Sequence, residues 1–282
     1  MGLALQLAPA LLSMAMYAAR ARTLASTPRA VARWRQACFH AGALIAAVSV
    51  VALGDLAQER FWAHMVEHLL LVDVAALLLV LGLTGPVLAP VLRLPALRPL
   101  RALGHPAVAL PLWIANLALW HVPGPHEAAV THEALHALQH LLFLVTGGAV
   151  WMALLGPLPK PEWFGNAARL GYIVGVRLAG AALANALLFG GEPFYDVYTA
   201  PDPEEDQIVA ASLMMVEESV LTICLLAWLF LRAARESDER QELLDLAARR
   251  GVTLTAERAA RAVAAGRGEE LRRRIGASEP GT

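Results

Sequence analysis

Long apolar stretches, each broken off by a few polar or charged residues, recur down roughly the first four-fifths of the chain. A helix rises 1.5 Å per residue, so about 20 such residues cross the ~30 Å hydrocarbon layer of a bilayer. The pattern predicts seven spans, at 2–19, 37–56, 62–83, 106–121, 134–156, 169–191 and 207–231. The expected fold class is all-α: a polytopic membrane protein whose residues 1–232 form a seven-helix transmembrane domain. Beyond it the pattern turns to mixed charge. Residues 236–250 read as a short charged helix ended by Gly251, and Thr255 as the cap of a second helix over 256–265, stopped by Gly266 and Gly268. Residues 233–282 are thus a charged helical tail, too small for a strong core of its own. It reads as a solvated appendage, with docking to a cytoplasmic partner as the alternative.

Charge sets the expected orientation. Arg20, Arg22, Arg29, Arg33 and Arg35 follow the first span, and Arg93, Arg98 and Arg101 follow the third. Lys160 and Arg169 flank the next connection on that side, the tail is Arg-rich, and the alternate loops hold Arg60 as their only basic residue. By the positive-inside rule the N-terminus lies outside and the C-terminus inside. The first apolar run has no basic residues before it, which favours a retained span over a cleaved signal peptide. The loop 190–207 is acidic, as a solvated outer loop would be.

Composition narrows the function. An apolar content of 57% excludes an ordinary soluble domain and a disordered chain. A net charge of -1 with no basic stripe gives no nucleic-acid partner; the lipid bilayer is the surface that this chain meets. Two cysteines, Cys38 and Cys224, without a C-x-x-C, support neither a disulfide framework nor a thiolate metal site.

The histidines carry the candidate chemistry. Of nine, seven fall at the outer ends of apolar segments: His64 and His68, His121, then His126, His132, His136 and His140. Histidines four apart share a helical face, and neutral imidazole is the commonest metal ligand. A lone histidine at a span end is an interfacial side chain with a wet tip; three segments converging on one side point to a metal site. Met214, in the outer half of the last span, adds a thioether, a donor that favours monovalent copper. The expected ligands are therefore His64, His68, His121, His136, His140 and Met214. His132, Met65, Asp73, Glu217 and Glu218 form a second rank. Copper is the expected metal, and zinc is the other ion such donors accommodate. Asp73, Glu217 and Glu218 share their expected depth with Arg177, where charges pair or serve a pathway. His40, His105, Asn116, Asn185, Gly171, Gly175 and Gly180 read as packing or interfacial residues, and Pro111 as a kink.

Two strings resemble zinc-protease signatures, His132-Glu133-x-x-His136 and His64-x-x-Glu67-His68. They leave an intramembrane zinc metalloprotease as an alternative, beside a copper- or haem-binding transporter.

His64-Met65-x-x-His68-Leu-Leu-Leu, Trp120-His121-x-Pro123, His136-x-x-x-His140-Leu-Leu-Phe and the acidic loop ending in Asp206-Gln207 before the last span together resemble the CtaG-type cytochrome c oxidase assembly factors. These are seven-span proteins of bacterial plasma membranes, and the resemblance runs from about residue 5 to 232. It implies a factor that helps install copper in haem–copper cytochrome c oxidase, at the CuB centre. It also implies an oxidase subunit and a copper donor protein as partners, and an accessory role rather than an enzymatic one. His64, His68, His121, His136 and His140 match the motifs; His126 and His132 lie outside them.

Overall fold

The computed structural model describes residues 3–97 and 99–277; Arg98 and the extreme ends of the chain, parts of the expected basic loop, first span and tail, lie outside the described residues. All seven apolar segments are helical, and the described residues contain no strand. Five helices are long and apolar enough to cross a membrane: Arg33–Glu59, Phe61–Gly82, Glu133–Leu154, Asn166–Phe189 and Pro203–Arg249. A sixth is added if Pro95–Leu103 and the bent continuation Pro106–Trp120 count as one broken span. Alone, the 15 residues of Pro106–Trp120 would reach only about 22 Å.

The helices are numbered α1 (Leu3–Leu24), α2 (Arg33–Glu59), α3 (Phe61–Gly82), α4 (Gly85–Arg93), α5 (Leu100–Leu103), α6 (Pro106–Trp120), α7 (Pro123–Thr131), α8 (Glu133–Leu154), α9 (Asn166–Phe189), α10 (Pro203–Arg249), α11 (Ala256–Ala264) and α12 (Gly268–Ala277). They fall into two compact units. The first comprises Met1–Pro161 and Tyr172–Val220, the second Glu162–Gly171 and Leu221–Thr282.

In the first unit α1 packs on α2, α2 runs along α3, and α6 lies on α8. Tyr17 of α1 stacks on Phe39 of α2 with ring centroids 4.0 Å apart, and its hydroxyl donates to the Gly82 carbonyl. Arg35 donates to the carbonyls of Leu81 and Leu83, satisfying acceptors that the end of α3 leaves without intrahelical partners. Close contact of α2 and α3 depends on Gly42, where a Cβ would lie 2.8 Å from the Ala75 carbonyl oxygen. Of the three glycines expected to pack closely, Gly180 does, since a Cβ there would overlap the Glu218 carboxyl, and Gly175 would press the end of Leu110; a Cβ on Gly171 would meet nothing.

The middle of α3, Leu70–Ala75, is π-helical. The Ala76 amide donates to Leu71 five residues back instead of to Val72. The Val72 carbonyl accepts the buried Trp151 indole N–H at 2.9 Å instead. Such bulges shift the register of a helix by one residue and cluster at functional sites. This one falls directly below His68.

The second unit has a small core of its own, Leu243 and Ala247 of α10 with Val263 of α11 and Ile275 of α12. The expected cap is present: Thr255 accepts the Arg258 amide. Gly251 and Gly266 take the left-handed conformation (φ 66° and 65°) that ends each helix. Gly268 departs from expectation, since it begins a third helix rather than only stopping the second. The tail also has no break from the last span, because α10 is continuous from Pro203 to Arg249.

Candidate metal centre

The site starts at the first turn of α3. Arg60, at the N-cap, makes no side-chain cap bond. Asp206, 145 residues on in sequence, accepts the Phe61 amide at 2.8 Å through Oδ2, and the Trp62 amide at 3.2 Å through Oδ1. A carboxylate here satisfies two orphan donors and complements the positive end of the helix. Gln207, its neighbour, accepts the Phe194 amide and donates to the Leu187 carbonyl, so the acidic loop is tied down on both sides. Asp206→Ala is expected to lower stability by about 1–2 kcal/mol, with Asp206→Asn recovering much of the loss. Thermal unfolding of the purified protein measures both.

With α3 so fixed, His64 and His68 project on one face, ring centroids 4.3 Å apart. His136 and His140, one turn apart at the start of α8, face them. The centroid separations are 5.3 Å for His64–His136, 5.5 Å for His68–His140 and 4.1 Å for His136–His140. Donor atoms of His64, His68 and His136 lie within 4.8 Å of one another, as do those of Glu67, His136 and His140. Glu67 Oε2 is 3.5 Å from His140 Nε2 and 3.9 Å from His136 Nε2. Small side-chain rotations would let either set close on one ion.

Burial makes the cluster unusual. His64 and Glu67 are wholly buried, and His68 is 3% exposed. No protein group hydrogen-bonds either ring nitrogen of His64 or His68, either oxygen of Glu67, or Nε2 of His121, His136 and His140. Each unsatisfied buried polar atom is unfavourable by about 1–3 kcal/mol, so such a concentration requires an explanation. Imidazole lone pairs and a carboxylate turned inward on one another are a cation's donor set. His136 and His140, each 12% exposed at the side chain, give the set an edge toward solvent.

His121 and His126 take different parts. The His121 Nδ1–H donates to the Leu117 carbonyl at 2.8 Å, which leaves Nε2 as a bare, buried acceptor. His126 Nδ1–H donates to the Trp120 carbonyl, so its Nε2 accepts the Tyr198 hydroxyl at 2.6 Å. Both nitrogens of His126 are used, and Tyr195 stacks on the ring at 3.9 Å while donating to the His121 carbonyl. Burial, and next the His121 ring, push the His126 imidazole down to about 3, so it remains neutral. The Tyr198 hydroxyl is raised well above its ordinary range, chiefly by burial, and stays a donor. His126 thus positions, with its ring 4.9 Å from His64, and holds no free lone pair for an ion.

His132 is exposed on the short turn before α8, its Nδ1 bonded locally to the Ala128 carbonyl and the Thr131 hydroxyl, away from the cluster. Met65 and Met214 are buried and line a cavity below it, together with His68, His121, Asp73, Glu217 and Glu218. Arg177 pairs there with Asp73 at 3.5 Å and Glu217 at 4.0 Å. Sequence reasoning passed over Glu67 as a donor, although it sits three residues after His64. It also passed over Gln139, whose amide is wholly buried and unpartnered beside His140. Tyr195 and Tyr198 carried no signal in a single sequence.

Residues 15–236 match the protein family described as cytochrome c oxidase caa3 assembly factor. No curated protein and no solved structure matches the chain.

Proposed function

Since the chain belongs to the cytochrome c oxidase caa3 assembly factors, we propose that its buried imidazole–carboxylate cluster carries copper to the haem–copper oxidase during assembly, for insertion at the CuB centre. The observation that carries this reading is the set of inward-facing nitrogens and oxygens on His64, Glu67, His68, His136 and His140 that no protein group satisfies. Nitrogen donors from imidazole suit copper, and zinc is the competitor that the same donors would accept.

Copper is here a cargo. His136 and His140, at the exposed edge, receive it from a donor protein, and His64, His68 and Glu67 hold it out of water. Release is ligand exchange with the oxidase subunit, which needs no covalent catalysis and makes the chain an accessory factor rather than an enzyme. His126 keeps the cluster in register through Trp120 and Tyr198.

The same reading has residues 1–232 crossing the bacterial plasma membrane seven times, N-terminus outside, with 233–282 as a cytoplasmic tail. It is supported by the basic residues that accumulate in alternate loops. It puts the cluster at the outer face. The protease alternative loses its His132-Glu133-x-x-His136 string, because His132 and His136 share no donor group and Glu133 is exposed.

Oxidase purified from cells lacking this chain is expected to contain its full haem but to have lost copper, with activity falling in proportion. Metal analysis beside haem absorbance measures this. Oxidase fully loaded with copper in such cells would remove the reading.

A further inference from the structure

Below the imidazole cluster lies a cavity of about 40 Å³, room for one ion with a water or two but far too little for an organic cofactor. His68 forms part of both. On the cavity wall stand two thioethers, Met65 and Met214, and the His121 ring. His121 is 9% exposed, and with its Nδ1–H spent on Leu117 it turns an unprotonated, unpartnered Nε2 inward. His68 contributes two further ring nitrogens without partners. These four side chains come from two helices and one helix end: Met65 and His68 from α3, Met214 from α10, and His121 from the end of α6.

We propose that Met65, His68, His121 and Met214 form a second copper position, selective for the monovalent ion, which receives its ion from the imidazole–carboxylate cluster through the shared His68. The proposal rests on the copper reading above and adds to it an inner stage of different chemistry.

The donors change in chemistry from set to set. The set that holds both edge histidines is Glu67, His136 and His140, with a hard, buried carboxylate. Next comes His64, His68 and His136, nitrogen alone. The inner set brings in sulfur. Thioether sulfur is soft and uncharged, and it selects Cu(I) over Cu(II) and over zinc. Each neighbouring pair of sets shares one residue, His136 between the first two and His68 between the last two. An ion can therefore step inward by exchanging one ligand at a time, never losing all of its donors at once. No electron is transferred: the ion enters as Cu(I) and leaves as Cu(I), and only bonds to nitrogen, oxygen and sulfur are made and broken. Asp73, Glu217 and Glu218 line the same cavity with Arg177, and Asp73 and Glu217 pair with its guanidinium and offset its charge.

The test uses the purified full-length protein, loaded anaerobically with Cu(I) alone and, separately, with Cu(II) alone. X-ray absorption at the copper edge is expected to show a sulfur shell for Cu(I), and only nitrogen and oxygen for Cu(II). In Met65→Leu/Met214→Leu, which conserves side-chain volume, the sulfur shell should vanish. Competition against a colorimetric Cu(I) chelator should then show Cu(I) affinity reduced by at least roughly 10-fold, with Cu(II) uptake unchanged. Unchanged Cu(II) uptake also shows that the variant is folded. A Cu(I) form with nitrogen and oxygen only, or a double variant that keeps its sulfur signal, overturns the inner position while leaving the copper reading intact. A wild-type protein that retains neither ion overturns both.

Discussion

Substituting His64 and His68 together by alanine is expected to abolish copper retention, lowering affinity by at least roughly 100-fold, since even indirect partners of metal ligands are worth 10- to 100-fold. The two rings lie 4.3 Å apart on one turn of α3 and supply four of the unsatisfied nitrogens of the cluster. His68 is in addition the one residue common to the cluster and the cavity beneath it. Either single variant should retain a weakened site, because one ring of the pair still stands with His136. Metal content of wild type, singles and double, measured after dialysis against a weak chelator, gives the ranking. Oxidase copper in cells carrying the double variant should fall with it. Thermal unfolding of the metal-free proteins separates ligation from packing. The rings make no protein hydrogen bonds, so their removal deletes buried unsatisfied groups and offsets part of the cavity that alanine leaves. A double variant that retains full copper and supports normal oxidase activity would contradict the proposed function.

Arg177 carries the second large effect. Arg177 is 9% exposed, and its guanidinium stands 3.5 Å from Asp73 and 4.0 Å from Glu217. Arg177→Leu leaves two buried carboxyls facing each other with no cation, and breaking a buried pair in this way typically costs about 3–5 kcal/mol. Loss of that size is a large share of the stability of a single domain, so much of the variant should be unfolded or degraded. Neutralising the partners with Asp73→Asn and Glu217→Gln in the same chain should restore most of the loss, since no uncompensated charge then remains. Denaturant titration in detergent, with the triple variant beside the single one, checks this. An Arg177→Leu protein as stable as wild type would show that the carboxyls are held by something other than this guanidinium.

Much of the architecture was legible from local pattern. Each apolar segment is helical because an uninterrupted run of such residues in hydrocarbon must satisfy its backbone within itself. His64/His68 and His136/His140 were legible as pairs because i,i+4 spacing fixes a common face whatever surrounds the helix. Thr255 and Gly251 were legible for the same reason, since caps and stops act within a few residues. Local pattern is silent where an outcome depends on a distant partner. His126 and His136 look alike in sequence. Yet the first spends both nitrogens on Trp120 and Tyr198, and the second leaves Nε2 bare. Nothing near Phe61 announces that Asp206 caps its helix. His132 continues the stripe of His136 and His140 on paper, but it stands one residue before α8 begins, and the chain has turned there.

The sequence by itself determined the chain's helical segments, the histidine pairs and the distribution of basic residues, because length, period and charge act locally or additively along a chain. Only the tertiary structure decided which imidazoles keep a lone pair for an ion, that Glu67 faces His136 and His140, and that α3 carries a π-helical segment against Trp151. Those outcomes depend on which hydrogen-bond partner each buried atom meets when separate helices pack, and no single segment contains that information.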